Sequence, residues 1–339
     1  MTFFNGIDPV LAELGEVRLW WYGLAYAVGL LTVDLWVWFR RERLGFEVRD
    51  VAEFSLLFAA GVLLGGRIFD VVLYEWFYYE DHVWQIPRLW EGGMATHGVL
   101  LGAVVGTLVF CRMRGKSFLA VADEVVIPGA VLMALGRMGN HINGEVYGSI
   151  SGVAWAMEFP YAEGCRHPVA LYDGIKNLLL VPILLGVRSI NLRRNGYLPR
   201  GLLLGSFVLW YGLLRVLVDV FREYDSYWLG VGRGQYFNLI MAAAGLCIIV
   251  AARRRAKAES VAVERKTRTR DPAFWGKRVA FYALVALCLT IPSGWTQQVL
   301  EEFEERRDVA SPVVTVCGGS RGTSTRRGQP SASGVLRPT

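Results

Sequence analysis

VAEFSLLFAAGVLLGGRIFDVVLY, residues 51–74, is a run of apolar side chains interrupted by few charges. At about 1.5 Å of rise per residue, a helix of this length crosses the roughly 30 Å of hydrocarbon in a bilayer. Similar runs recur along the chain, at residues 18–39, 95–112, 119–136, 167–188, 201–222 and 235–252, with a weaker one at 279–296. One such run is compatible with a buried helix of a soluble protein, but seven are not. The sequence therefore predicts an all-α polytopic membrane protein with seven transmembrane helices and an additional eighth.

The composition agrees with this class. Of the 339 residues, 53% are hydrophobic and 19% are charged, whereas a soluble domain carries about 25% charged residues. The cysteines and histidines lack the paired spacing of a metal site, and no phosphate-binding glycine loop occurs. We therefore expect no metal, no cofactor and no nucleic-acid partner. The oligomeric state is not readable from the sequence.

Basic residues concentrate in alternate connections between the apolar runs. They occur after the first, third, fifth and seventh runs, in RRERLGFEVR, CRMRGKS, RSINLRRNGYLPR and RRRAK. The other connections, such as YEWFYYEDHVWQIPRLWEGG, are rich in aromatic and acidic side chains. Because basic loops stay in the cytoplasm, this pattern predicts that the N-terminus lies outside.

The chain divides into four predicted regions. Residues 1–252 form a seven-helix membrane domain with a small head segment on the outer side. Residues 253–278 form a basic cytoplasmic linker, and residues 279–296 form the additional transmembrane helix. Residues 297–339 form a disordered tail, because this stretch is rich in Ser, Gly, Arg and Pro.

The segment GRMGNHINGE, residues 136–145, concentrates hydrogen-bonding side chains at the end of an apolar run. Arg137 offers a planar fork of donors suited to phosphate, and the glycines let the backbone turn or approach closely. Asn140 and Asn143 can orient or cap, while Glu145 can hold Arg137 or take a proton. A capped helix end needs only one or two such residues, so the segment favours a site for an anionic headgroup.

A second polar group, EGGMATHG at residues 91–98, stands at the start of the third apolar run. A lone histidine is usually structural, but His97 lies among several glycines at the entrance of a span, which favours a functional role. Gly102 and Gly106 follow on one helical face. Such a small-x-x-x-small face predicts close packing against another helix.

One helical stripe of the sixth apolar run carries four polar side chains, Tyr211, Arg215, Asp219 and Arg222. A charged side chain in hydrocarbon costs at least about 2.5–3.5 kcal/mol, so such residues usually face a cavity or a partner. An Arg215–Asp219 pair alone would be a structural bridge, whereas two arginines and a tyrosine suit an anion clamp. Arg67, near the end of the second run, is a candidate to join this clamp.

The order of several motifs resembles the prolipoprotein diacylglyceryl transferases of bacterial inner membranes. The motifs are WWYGLAY, GGMATHG, GRMGNHINGEVYG, HPVALYD, RVLVDVFRE and GQYFN, and the resemblance covers about residues 5–252. It implies transfer of the diacylglyceryl group of phosphatidylglycerol to the lipobox cysteine thiol of a prolipoprotein, with release of glycerol phosphate. This reaction is the first step of lipoprotein maturation. The resemblance also implies a multi-pass protein of the cytoplasmic membrane, with its active site toward the outer half.

Carried onto this chain, the resemblance implies catalytic roles for three residues. Arg137 and Arg215 look like the pair that binds phosphate, and His97 resembles the proton acceptor. The remaining residues implied to bind phosphatidylglycerol are Tyr22, Asn140, Glu145, Gly148 and Asp219. The chain departs from the usual pattern at five positions, Val99, His141, Ala170, Asp173 and Asp219, and its segment from Phe159 to His167 is short.

Other interpretations of the sequence stay open. Buried arginines and interrupted helices also suit a transporter or flippase for anionic phospholipid, although no convincing inverted repeat is visible. A homologue that binds lipid without catalysis is the other alternative. An intramembrane protease is disfavoured because no H-E-x-x-H motif occurs.

Overall fold

The computed structural model describes residues 3–4, 7–159, 162–223, 227–228, 231–256 and 273–292. Its helices are α1 Trp21–Arg40, α2 Val48–Leu73, α3 Trp76–Tyr79, α4 Thr96–Arg114, α5 Phe118–Ile142, α6 Val169–Asn195, α7 Leu202–Asp219, α8 Arg233–Ala256 and α9 Phe274–Cys288. Within these described ranges, seven helices are long and apolar enough to cross a membrane, namely all except α3 and α9. The predicted all-α polytopic membrane protein is thereby confirmed.

The long helices alternate in direction, so the bundle has two ends. We call the end where α1 begins the upper end and the end where α1 finishes the lower end. Within the described ranges, three small β-structures lie at the upper end, where the sequence predicts the head segment. They are a sheet ordered β1 (Phe3–Phe4), β4 (Met157–Phe159), β5 (Ala162–Arg166), a hairpin of β2 (Val10–Leu14) and β3 (Val17–Trp20), and a pair of β6 (Tyr227–Trp228) and β7 (Val231–Gly232). In the first sheet β1 runs parallel to β4, and β4 is antiparallel to β5.

Helices α2 and α4 pack backbone against backbone through glycines. A Cβ atom at Gly102 would collide with the carbonyl oxygen of Gly61, and one at Gly106 would collide with that of Leu57. In a bilayer, lipid tails compete with apolar side chains, so close van der Waals contact of this kind drives helix association. The close packing predicted for Gly102 and Gly106 is confirmed.

Polar contacts at the lower end join α5 to α6 and α7. The guanidinium of Arg188 in α6 donates two hydrogen bonds of 2.8 Å to Glu124 in α5. The Asp123 carboxylate accepts the backbone N–H groups of Gly201, at 2.6 Å, and Leu204, at 2.8 Å. A carboxylate at a helix N-terminus accepts hydrogen bonds from the unpaired N–H donors there, and its negative charge is stabilised by the positive end of the helix dipole. These contacts join the lower ends of α5, α6 and α7. The upper halves of the same three helices carry the cluster of charged side chains described in the next subsection.

Two helix ends differ from the predicted spans. Helix α5 continues through the GRMGNHI motif to Ile142, beyond the predicted end at 136, because the helical backbone bonds persist until Gly144 takes a positive φ of 73°. Helix α7 ends at Asp219, before the predicted end at 222. Arg222 therefore lies beyond the helix, and its predicted place on the stripe of Arg215 is wrong.

Two helix ends fall inside the predicted linker at 253–278, and the rest of that linker, residues 257–272, lies outside the described residues. Helix α8 continues to Ala256, and α9 already begins at Phe274 and ends at Cys288. At about 1.5 Å per residue, the 15 residues of α9 extend only about 22 Å, less than the roughly 30 Å of hydrocarbon. That α9 crosses the membrane stays a prediction, and residues 297–339 lie outside the described residues.

Helix α9 packs against α1 and α2 through one buried and one half-buried ion pair. Arg278 contacts the Asp34 carboxylate in α1, which also accepts a hydrogen bond of 2.6 Å from Ser55 in α2. Lys277 Nζ lies 2.6 Å from a carboxylate oxygen of Glu53. Near the upper end, the backbone carbonyl of Leu289, just after α9, accepts the N–H of Trp20 at 2.9 Å. The α9 segment therefore follows the length of α1 from the lower half to the upper end.

We expect Gly102→Ala to lower the midpoint of thermal unfolding by roughly 3–10 °C, because overpacking costs about 1–3 kcal/mol. The matched control is Gly129→Ala, since a Cβ atom at Gly129 of α5 meets no other atom within 4 Å. Thermal unfolding of both purified variants in detergent measures the difference. Equal midpoints would contradict the backbone contact between α2 and α4.

We expect Arg278→Met to destabilise the protein by about 3–5 kcal/mol, because it leaves Asp34 as a buried carboxylate without its cation. Adding Asp34→Asn should restore at least half of the loss, since the second change removes that charge. The exposed Arg255→Met on α8 serves as the control for loss of an arginine. A midpoint that is unchanged in Arg278→Met would contradict a stabilising role for the Arg278–Asp34 pair.

Candidate active site

A buried carboxylate at the upper half of α6 gathers cations from three helices. Asp173 is 0% exposed, and its Oδ2 atom lies 2.7 Å from Arg137 Nε of α5 and 2.7 Å from Arg215 Nη1 of α7. Its Oδ1 atom lies 2.8 Å from Nζ of Lys176, one helical turn further along α6. The structure therefore brings together the two arginines that the sequence assigned to phosphate binding.

Arg137 is held in place by the rest of its motif. Its Nη1 atom donates to Asn140 Oδ1 at 3.1 Å, and Asn140 Nδ2 donates to Glu145 Oε2 at 3.0 Å. Asn140 thus connects the guanidinium to Glu145 by side-chain hydrogen bonds. The backbone after α5 turns sharply, with Val146 at φ 56°. A β-branched residue in this region is strained by about 1–3 kcal/mol, and such strain concentrates at functional sites.

Arg215 is oriented by a second chain of polar side chains. Its Nε atom lies 3.1 Å from Asp219 Oδ1, and the other carboxylate oxygen of Asp219 accepts a hydrogen bond of 2.6 Å from Asn238. Asn238 belongs to the GQYFN motif on α8. Each arginine therefore has an acidic residue and an asparagine that fix its direction.

Gly148 lies where three segments meet at the upper end. Its N–H donates to the carbonyl of His167 at 2.9 Å, and its own carbonyl accepts Arg166 Nη1 at 3.1 Å. A Cβ atom here would collide with the carbonyl oxygen of Phe221 and lie 2.5 Å from Val169 Cγ2. Burial also lowers the pKa of His167. Gly148 thus positions the loop after α5 against the start of α6.

Tyr22 is buried on α1 and lies against the same motif. A Cβ atom at Gly139 would meet Tyr22 Cδ2 at 2.9 Å, so only glycine fits there without displacement. The Tyr22 hydroxyl lies 3.2 Å from that of Tyr26. Tyr22 therefore packs against the α5 turn that carries Arg137 and Asn140.

His97 is placed differently from the other predicted site residues. It is exposed near the start of α4, and its ring centre lies 6.4 Å from that of Phe69 on α2. Among the described contacts, none joins His97 to Arg137 or Arg215.

The suggested place of Arg67 in the anion clamp is wrong. Its guanidinium donates to the backbone carbonyls of Ile86, at 2.8 Å, and Gly92, at 2.5 Å, and it lies 4.9 Å from the centre of the Tyr79 ring. The exposed connection from α2 to α4 leaves carbonyl groups that need donors, and a long arginine reaches several of them. Arg67 therefore anchors this connection, which leads into the helix of His97.

Three residues of the cluster were not assigned to the site from the sequence: Asp173, Lys176 and Asn238. Asp173 was noted only as a departure within HPVALYD. The i, i+3 spacing of Asp173 and Lys176 inside an apolar run was the available signal, since charged residues there need partners. The partner of Asn238 lies 19 residues away in sequence, and no local pattern indicates that pairing.

The cluster is suited to bind an anion. Its ion-paired core contains three cations, Arg137, Lys176 and Arg215, and two carboxylates, Asp173 and Asp219. Arg215 Nη1 already lies 2.7 Å from Asp173 Oδ2. Guanidinium groups form charge-assisted hydrogen bonds with anionic oxygens in general, so an anionic ligand that takes the place of this carboxylate oxygen would be stabilised in the same way. The fold and the site together define a polytopic membrane protein with a buried cluster of ion-paired cations and carboxylates.

Comparison with known proteins identifies the family. The model of the prolipoprotein diacylglyceryl transferase family matches residues 9–251, and the chain belongs to this family. The match covers α1 to α8 almost completely and leaves α9 outside.

Individual relatives support the same assignment. The phosphatidylglycerol–prolipoprotein diacylglyceryl transferase of Rhodospirillum rubrum is 38% identical over 262 residues, which cover 74% of this chain and 94% of that protein. Those of Methylobacillus flagellatus and Geobacter sulfurreducens are each 36% identical, over 97% and 98% of their lengths and 73% and 74% of this chain. The similarity thus extends over nearly the whole of each relative.

Proposed function

We propose that this family member transfers the diacylglyceryl group of phosphatidylglycerol to the lipobox cysteine of a prolipoprotein. The relatives carry this activity in their names and are similar over almost their full length. The protein is thus a transferase that carries out the first step of lipoprotein maturation. Its substrates are a membrane phospholipid and a cysteine thiol.

One observation carries the proposed mechanism. Two guanidinium groups from different helices converge on one carboxylate oxygen, at 2.7 Å each. Arginine donors in this arrangement suit a phosphate oxygen as well as a carboxylate oxygen. The phosphodiester of phosphatidylglycerol carries a single negative charge, and we assign Arg137 and Arg215 to bind it. Tyr22, Asn140, Glu145, Gly148 and Asp219 shape or orient this site, as their contacts above describe.

In the proposed reaction, the cysteine sulfur attacks the glycerol carbon that bears the phosphate. The C–S bond forms as the C–O bond breaks, and its electron pair leaves with the phosphate oxygen of glycerol phosphate. The arginines stabilise the charge that develops on this leaving group. The thiolate is the nucleophile, and a free thiol has a pKa near 8.5, so a proton acceptor accelerates the attack. We assign this role to His97.

We further propose that the upper end of the bundle faces the outside of the bacterial cytoplasmic membrane. The basic residues at the end of α4 and in the last turns of α6 and α8 all belong to the lower end. By the positive-inside rule, the lower end is cytoplasmic and the N-terminus lies outside. The arginine cluster then lies toward the outer half of the membrane, where a secreted prolipoprotein presents its cysteine.

We expect Arg137→Gln and Arg215→Gln each to lower the transfer rate by at least about 100-fold, as loss of one transition-state donor does elsewhere. The assay combines purified protein, phosphatidylglycerol and a lipobox peptide, and it measures released glycerol phosphate. A Cys→Ser peptide tests the acceptor, and the exposed Arg112→Gln on α4 is the matched control. Release by folded Arg137→Gln at the unaltered rate would remove the phosphate clamp.

The same assay separates the alternatives. Release that requires both the arginines and the peptide thiol supports the transferase. A folded, lipid-binding protein that releases no glycerol phosphate would instead be a lipid carrier or a homologue without catalysis. Movement of phosphatidylglycerol between leaflets of a vesicle, without peptide, would indicate a flippase.

We expect His97→Gln to lower the rate at neutral pH, by roughly 100-fold, because general base catalysis contributes about 10²–10⁴-fold. Raising the pH toward the thiol pKa should reduce the difference in transfer rate between His97→Gln and the wild type, since more of the peptide is then already thiolate. The measurement is the transfer rate against pH for both proteins. A constant ratio across the pH range would exclude His97 as the proton acceptor.

A further inference from the structure

The two oxygens of Asp173 have different partners. Oδ2 lies 2.7 Å from both Arg137 Nε and Arg215 Nη1, whereas Oδ1 lies 2.8 Å from Lys176 Nζ. In the proposed function, a lipid phosphate binds the same arginine nitrogen atoms that Oδ2 contacts in this structure. The arriving phosphate therefore competes with one oxygen of this carboxylate and leaves the other with its lysine.

Lys176 is held within the same helix as Asp173. It is 3% exposed, and its Nζ atom lies 3.6 Å from the centre of the Tyr211 ring on α7. The ring face attracts the ammonium group and favours this position. Because Lys176 and Asp173 are spaced i, i+3 on α6, their contact does not depend on where the two arginines lie.

A phosphate on the arginines would leave Asp173 as a second anion in a buried site. A buried carboxylate without a cation is strongly unfavourable. Separating Asp173 from both arginines would therefore oppose lipid binding if no other cation contacted it. Lys176 removes this obstacle because it already contacts the oxygen that the arginines do not use. We infer that Lys176 is a positioning residue that retains Asp173 when a lipid phosphate displaces it from the arginine pair. This inference rests on the proposed function.

We expect Lys176→Met to raise the KM for phosphatidylglycerol about 10- to 100-fold, since the displaced carboxylate loses its remaining cation. The kcat should change by less than about threefold. In this inference Lys176 contacts no reacting atom, so its loss weakens lipid binding and leaves the bond-breaking step unaffected. Lys116→Met is the matched control, because that lysine lies at the lower end, 3.7 Å from Asp50. Its KM should equal that of the wild type.

The double variant Asp173→Asn with Lys176→Met provides the decisive comparison. It has the same net charge as the wild type and lacks the carboxylate that must be displaced. Its KM should return to within about threefold of the wild-type value, a coupling typical of residues in direct contact. A KM that stays high would mean that Lys176 binds the phosphate itself and would overturn the inference. A lower unfolding midpoint of Lys176→Met with an unchanged KM would assign it a structural role and also overturn it.

A binding measurement distinguishes this inference from the proposed function. Phosphatidylglycerol should raise the unfolding midpoint of the wild type more than phosphatidylcholine does, because a ligand that binds the folded state stabilises it. Lys176→Met should lose this difference, and the double variant should regain it. If the wild type shows the difference but transfers no diacylglyceryl group, the transferase proposal fails while the role of Lys176 stands. Equal stabilisation of wild type and Lys176→Met by phosphatidylglycerol overturns the inference.

Discussion

The neutralisation of one buried carboxylate constrains the upper half of this bundle. Asp173 is fully buried on α6 and takes its cations from α5, α6 and α7. An uncompensated charge at this position would be too unfavourable for the helices to pack, so the three helices must approach with their cations aligned. The same requirement places two guanidinium groups side by side. A constraint on assembly thus also creates the arrangement on which the proposed phosphate site depends.

The rest of the bundle relies on contacts that remain effective in lipid. Hydrophobic burial provides little force between helices when the solvent is itself apolar. Helices α2 and α4 instead meet through glycine backbones, and α5, α6 and α7 are joined at the lower end by the contacts of Glu124 and Asp123. The helices that carry the arginine cluster at the upper end are therefore also joined to one another at the lower end.

The spans and the site differ in how far the sequence could predict them. Apolar run length alone predicts seven helices, because crossing a bilayer imposes a minimum length. The motif around Arg137 indicated Asn140 and Glu145 as side chains that orient or hold the guanidinium, since those residues are close in sequence. The contact between Arg137 and Asp173 joins different helices, and spacing within one helix carries no information on it. Arg67 was misjudged for the same reason, because its backbone acceptors lie 18 or more residues away.

The contact between Asp34 and Arg278 has a consequence for the order of biosynthesis. The two residues are separated by 244 positions, and a ribosome adds about 5–20 residues per second. Helices α1 and α2 therefore wait on the order of 10–50 s for the cation that neutralises Asp34. Throughout that interval the nascent first helix carries an acidic group for which its permanent counterion has not been made. Completion of the α1–α2–α9 layer is thereby tied to translation beyond the family-matched region, so a prematurely terminated chain lacks this layer.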